Sequence, residues 1–214
     1  MNSLDDLDIE KILKKANTCE IVEDYKSACD YYELAALKGD RRSISKLITL
    51  YSHGKYNFDI RKAIFWLEEY LSRYTDLTRR DNFEFRLGLK YCKCYFNDKI
   101  KCDEDKEKAI YWLNNAYEHN KASVARLKKI GGLLYKLGDY EHSFLILDSV
   151  LSVCLQKKYL APIVTLGKCH LFGKGTERNP AKAFELFQIA AKEDFDPAKS
   201  LLSRFFNADN VKMS

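Results

Sequence analysis

The run LGKCHLFGKGTERNPAKAF, residues 166–184, gathers the residue types that grip phosphate: Gly167, Gly173, Lys174, Gly175 and Thr176. A phosphate-binding loop offers glycine backbone N–H groups and a lysine ammonium, in the order G-x-x-x-x-G-K-[ST], between a strand and a helix. Here five residues separate Gly167 from Gly173, and Gly175 follows Lys174 where a hydroxyl residue would be needed. The preceding VTLGKCHLF reads as helix, not strand. The run therefore predicts a turn between two helices, with glycines taking backbone angles that other residues resist.

Other chemistry-bearing residues fail on spacing. Cys92-x-Cys94 and Cys102 suggest zinc, but positions 92 and 94 face different sides of a helix and no fourth ligand stands at a finger spacing. His53, His119, His142 and His170 are scattered one per region, and His170 holds a position suited to a packed ring. The chain has no G-x-S-x-G elbow and no H-E-x-x-H pair. The expectation is a protein with no catalytic residues, no metal and no cofactor.

One charge run stands out. Lys121, Arg126, Lys128, Lys129 and Lys136 occur with no acidic residue between Asn120 and Gly138. Two readings stay open. A solvated helix face would pack through Ala122, Ala125, Ile130 and Leu133, and a positive patch would meet an acidic protein segment or, as the lesser alternative, a nucleic-acid backbone.

The elements that must position these residues are helices. Only three prolines and nine glycines punctuate 214 residues, and the apolar fraction of 46% argues against disorder. No apolar stretch reaches membrane-spanning length, and the acidic start MNSLDDLDIEKILKKA is unlike a secretory signal. A net charge of +5 permits nucleic acid without implying it. Seven cysteines in irregular array suit a reducing compartment, so a cytoplasmic location is expected, with export by a signal-less route as the alternative.

Five segments repeat one pattern: 24–36, 59–71, 105–117, 139–151 and 179–191. Each opens with Asp24, Asp59, Asp105, Asp139 or Asn179, residues that cap a helix start. Four positions on stands a small residue, Ala28, Ala63, Ala109, Ser143 or Ala183, followed by large apolar residues one turn later. These offsets lay one apolar stripe on each helix, and the small residue admits a neighbour closely. A second helix set, near 8–20, 42–52, 82–96, 121–136 and 160–172, carries Gly88, Gly131 and Gly167 where close packing is needed. Between them YFNDKIKCDEDKE, 95–107, reads as an extended polar loop.

The run 166–194 resembles a Sel1-like repeat, a relative of the tetratricopeptide repeat, through Gly167, Gly173, Gly175, Asn179, Ala183, Phe187, Ala190 and Ala191. DIRKAIFWLEEYL, DKEKAIYWLNNAY and DYKSACDYYELAALKGD are similar to its second helix, and 121–151 looks closer to a tetratricopeptide hairpin. The resemblance implies an all-α, right-handed α-solenoid of about five antiparallel hairpins. One domain over 1–206 is expected, with hairpins at 8–38, 42–73, 82–118, 121–154 and 160–192, a terminal helix at 197–206 and a polar tail at 207–214.

The resemblance also implies a non-catalytic adaptor or scaffold for another protein. The alternatives are an inhibitor that covers a partner enzyme's active site and an RNA-binding repeat protein. In such solenoids first helices line the concave side. Helical register then directs Phe85, Leu89, Cys92 and Lys93, next Lys128, Tyr135 and Lys136, and last Val164, Lys168, Leu171 and Phe172 toward a partner, with an acidic or extended protein segment as its chemistry. The terminal Leu201, Leu202, Phe205 and Phe206 leave two options: packing back on the preceding hairpin, or a homodimer through the last helix.

Overall fold

Four of the five expected caps are made by the expected side chain. Asp24, Asp59, Asp139 and Asn179 accept hydrogen bonds from backbone N–H groups three residues on, at 3.1, 3.0, 3.3 and 3.0 Å. In this computed structural model, which describes residues 8–53, 59–74, 77–97, 102–119 and 123–206, the fifth cap is replaced. The helix begins at Asp103, so Asp105 lies inside it. Its carboxylate is 3% exposed and is held by the two Arg61 guanidinium nitrogens at 2.7 and 2.8 Å. Asp103, Glu104 and Asp105 together complement the positive end of the helix, which favours the earlier start.

The described residues form twelve helices and no strand. They are α1 (Ile9–Ile21), α2 (Tyr25–Leu37), α3 (Arg41–His53), α4 (Ile60–Arg73), α5 (Leu77–Asn97) and α6 (Asp103–His119). After them come α7 (Val124–Leu137), α8 (Tyr140–Ser149), α9 (Leu151–Gln156), α10 (Leu160–Phe172), α11 (Pro180–Lys192) and α12 (Asp196–Phe206). The chain divides into two compact units, residues 1–105 and 106–214. In unit 1, α1 packs on α2, α2 on α3, α3 on α4 and α4 on α5. In unit 2, α7 packs on α8, α10 on α11 and α11 on α12, while α10 also meets α7, α8 and α9.

The small residues make this packing possible. Ala28, Ala63, Ala109, Ser143 and Ala183 are all fully buried. A methyl group added at Gly167 would come within 2.5 Å of the Phe187 ring, and one at Gly131 within 2.7 Å of Leu147. Ser143 replaces alanine at no loss, because its hydroxyl donates to the buried Gly131 carbonyl at 2.8 Å.

Three boundaries differ from the sequence expectation. The helix expected from 82 starts at Leu77, and the loop expected over 95–107 gives up both ends to α5 and α6. The helix expected over 139–151 breaks at Val150 into α8 and α9. There the Ser149 hydroxyl donates to the Ile146 carbonyl at 2.7 Å, and Val150 N–H reaches Leu147 in a tightened turn at 3.3 Å. A serine bonding its own backbone, followed by a β-branched residue, is a sequence that ends a helix readily. Asp5, Asp6, the middle of the 95–107 loop, Lys121, Ala122 and the tail 207–214 lie outside the described residues.

The last helix packs back on the preceding hairpin. Leu201, Leu202, Phe205 and Phe206 are half-buried against a core of Ala183, Phe187, Ala190 and Ala198. Phe205 meets Phe172 edge-on at 5.5 Å and Phe206 meets Phe184 at 5.1 Å.

Candidate protein-interaction surface

The glycine-rich loop that opened the sequence reading joins α10 to α11. Gly173 ends α10 in the left-handed region, φ 65°, and Gly175 follows at φ 71°. A side chain at Gly175 would overlap the Tyr140 backbone carbonyl, so the loop lies directly on the start of α8. Lys174 completes that docking. Its amine donates to the Tyr140 hydroxyl at 3.0 Å, and sits 4.2 Å from the Tyr140 ring centroid and 5.7 Å from that of Tyr135. The lysine that suggested phosphate is thus turned onto rings of its own unit.

The cysteines and histidines are also placed by packing. Cys92 and Cys94 are both buried on α5, which removes Cys92 from the surface expected to face a partner. Cys102 is exposed. Among the described residues no three His, Cys, Asp or Glu side chains converge as a metal site. His170 stacks edge-on against Phe144 at 5.4 Å, and both its ring nitrogens are buried without a hydrogen-bond partner. Burial and then the charge of Lys182 push its pKa down, against an opposing pull from Asp148.

The site residues expected in unit 2 fare unequally. Lys128 is half-buried with its amine 2.9 Å from the Tyr159 ring centroid. Tyr135 is half-buried edge-on to Tyr140, and burial raises its phenol to about 12, so it stays protonated. Lys168 is half-buried and Lys136 exposed. Val164 and Leu171 belong to the core, which corrects the sequence reading, whereas Phe172 is 45% exposed. The reason is register: Val164 and Leu171 share the face that meets α11 and α12. Of the described residues of the basic run, Lys129 and Lys136 are exposed and Arg126 and Lys128 half-buried.

In unit 1 three of the four expected residues, Phe85, Leu89 and Lys93, lie away from the buried side of α5. Leu87, Tyr91, Cys92 and Cys94 bury one side of α5. On the other side Phe85 and Leu89 are half-buried, Lys93 is exposed and Phe96 is 38% exposed. Phe85, Leu89 and Phe96, four and seven residues apart, form one apolar ridge. Arg86 and Lys90, both half-buried, run beside it. Sequence reading missed Arg86, Lys90 and Phe96, although the recurrence of Arg86, Lys90 and Lys93 at helical spacing was the available signal.

Helices paired in sequence order, with small anchors and capped second helices, define a helical-repeat protein of the solenoid class. A family model for the Sel1 repeat matches residues 20–40, 50–69, 83–121 and 166–195, just over half of the chain. The chain belongs to the Sel1 repeat family. Three solved structures share the fold. A protective antigen of uropathogenic Escherichia coli strains displaying an SLR fold aligns at TM-score 0.50 and 18% identity, over 93% of this chain and 41% of its own. MamA protein aligns at 0.57 and 16%, over 94% and 96%, and a Sel1 repeat protein from Oxalobacter formigenes at 0.54 and 19%, over 92% and 56%. The chain thus spans less than two thirds of the first and third of these. No curated protein sequence matches it.

Proposed function

We propose that the chain is a non-catalytic adaptor or scaffold, a single repeat domain over 1–206 that binds a protein segment carrying acidic and large apolar side chains. Sel1 repeats generally serve as protein-interaction modules. The observation that carries the reading here is the outward side of α5, where the ridge of Phe85, Leu89 and Phe96 lies beside exposed Lys93. An apolar ridge rimmed by positive charge offers a partner burial for affinity and charge for orientation. In unit 2, taken by itself, Lys136 is exposed and Lys168 half-buried, while Lys128 and Tyr135 are engaged internally. Among the described residues no helix is long and apolar enough to cross a membrane.

The test is selection of displayed random peptides on the immobilised full chain. Enriched peptides should combine Asp or Glu with a large apolar residue and lose binding to Leu89→Asp. Failure to enrich any peptide, or enrichment indifferent to Leu89→Asp, would remove α5 as the binding face.

A further inference from the structure

Arg86, Lys90 and Lys93 recur at intervals of four and three, which places them along one flank of α5. Two of them are half-buried, and a cation withdrawn from water calls for an opposite charge. Even exposed cations elsewhere in unit 1 have such a partner. Lys46 meets Glu20 at 2.8 Å, Lys62 meets Glu33 at 3.5 Å, and Arg61 meets Asp105 at 2.7 Å. Among the described residues no carboxylate pairs with Arg86 or Lys90, and the Arg86 guanidinium lies 5.6 Å from the Phe83 ring centroid instead.

The two glutamates of the neighbouring helix that stand closest in sequence to its end are engaged elsewhere. On α4, the helix packed against α5, Glu68 accepts from Tyr91 at 2.6 Å and Glu69 pairs with Arg73. Burial, then the charges of Arg86 and Lys93, bring the Lys90 amine down to about 8, with only the Cys94 thiol acting the other way. Burial also lowers Arg86. Arg86 and Lys90 are thus a short row of crowded, partly dried cations beside an apolar ridge.

We propose that Arg86 and Lys90 form an anion seat that takes the carboxylate side chains of an acidic peptide segment. The assignment rests on the reading of α5 as the partner-binding face. Carboxylates are favoured over a nucleic-acid backbone by the shortness of the row and by the apolar ridge alongside it. A phosphate backbone is better served by a longer charge track, and Lys46, Arg61 and Lys62 are already neutralised by carboxylates. A docked carboxylate favours the charged amine. Binding therefore takes up a proton at Lys90 near pH 8, and affinity falls as pH rises from about 7 to about 9.

Calorimetry of the full chain with hexaglutamate tests the seat, run at pH 8 in two buffers of different ionisation enthalpy, with hexauridylate as the competing class. The expected result is hexaglutamate binding with proton uptake, weakened by salt and weakened about tenfold or more by Lys90→Met. Lys90→Arg should keep the affinity and abolish the proton uptake, because a guanidinium remains charged throughout. Circular dichroism checks that both variants fold. Absent hexaglutamate binding, binding unchanged in Lys90→Met, or tighter binding of hexauridylate would each overturn the proposal. Peptides selected through Leu89 alongside a failed hexaglutamate experiment would leave the binding face standing and remove only the seat.

Discussion

At the residue scale, the polar ties between helices show a rule and its exception. Tyr51 on α3 donates to Glu33 on α2 at 2.7 Å, and Tyr91 on α5 donates to Glu68 on α4 at 2.6 Å. In each case the tyrosine stands three residues after Ile48 or Gly88, and the glutamate five after Ala28 or Ala63. His170 and Asp148 hold the same two positions relative to Gly167 and Ser143, yet the ring nitrogens of His170 are left unpaired. The depressed pKa of His170 means that the folded state holds its proton less tightly than the unfolded chain. Stability is then fully present above the ordinary histidine value of 6.5 and is lost as pH falls below it. Melting curves between about pH 7.5 and about pH 5 should show that loss in wild type and a smaller one in His170→Phe. His170→Tyr, able to donate to Asp148, should melt above His170→Phe by about 1 kcal/mol in stability. An equal acid slope in wild type and His170→Phe would place the effect elsewhere.

At the element scale, turns decide how helices meet. Gly175 both takes a left-handed angle and lies against the Tyr140 backbone, so Gly175→Ala has a backbone cost and a clash. Its expected loss is about 2 kcal/mol or more, with the Lys174–Tyr140 contact broken. Chemical denaturation would measure it, and a change within error would mean that the loop does not need its docked position. The turn between α1 and α2 offers the opposite case. Glu23 holds φ 59° with an exposed side chain, so Glu23→Gly should stabilise by up to about 1 kcal/mol, read as a higher denaturation midpoint. A lower midpoint would show that flexibility gained by the unfolded chain outweighs the relief. The break at Val150 belongs here too. Sequence periodicity carried one helix through 139–151, because apolar spacing continues across the break at Val150.

At the scale of the whole molecule, burial sorts the seven thiols. All are free. Cys29, Cys92, Cys94, Cys154 and Cys169 are buried, Cys19 is half-buried and Cys102 is exposed. Burial raises the Cys169 thiol to about 11, far from its reactive thiolate form. A maleimide should therefore label Cys102 rapidly in the native protein and reach the five buried cysteines only on unfolding. Mass spectrometry of a timed reaction decides it, and fast labelling of Cys92 or Cys169 would contradict the packing of α5 or α10.

Sequence by itself determined the repeat. Caps at Asp24, Asp59, Asp139 and Asn179, small anchors at fixed offsets, and the glycines at 131 and 167 act within a helix or against its nearest partner, so their spacing records them directly. Tertiary structure alone decided the fate of charge. Asp105 and Arg61 lie 44 residues apart in sequence, Lys174 reaches back 34 residues to Tyr140, and Lys128 finds the ring of Tyr159. A charged side chain is recruited by whatever packing brings within a few ångströms, and that proximity has no period along the chain. Hence the basic run at 126–136 divides between exposed Lys129 and Lys136 and half-buried Arg126 and Lys128, while Arg86 and Lys90 were passed over in a helix whose burial leaves them without a counter-charge among the described residues.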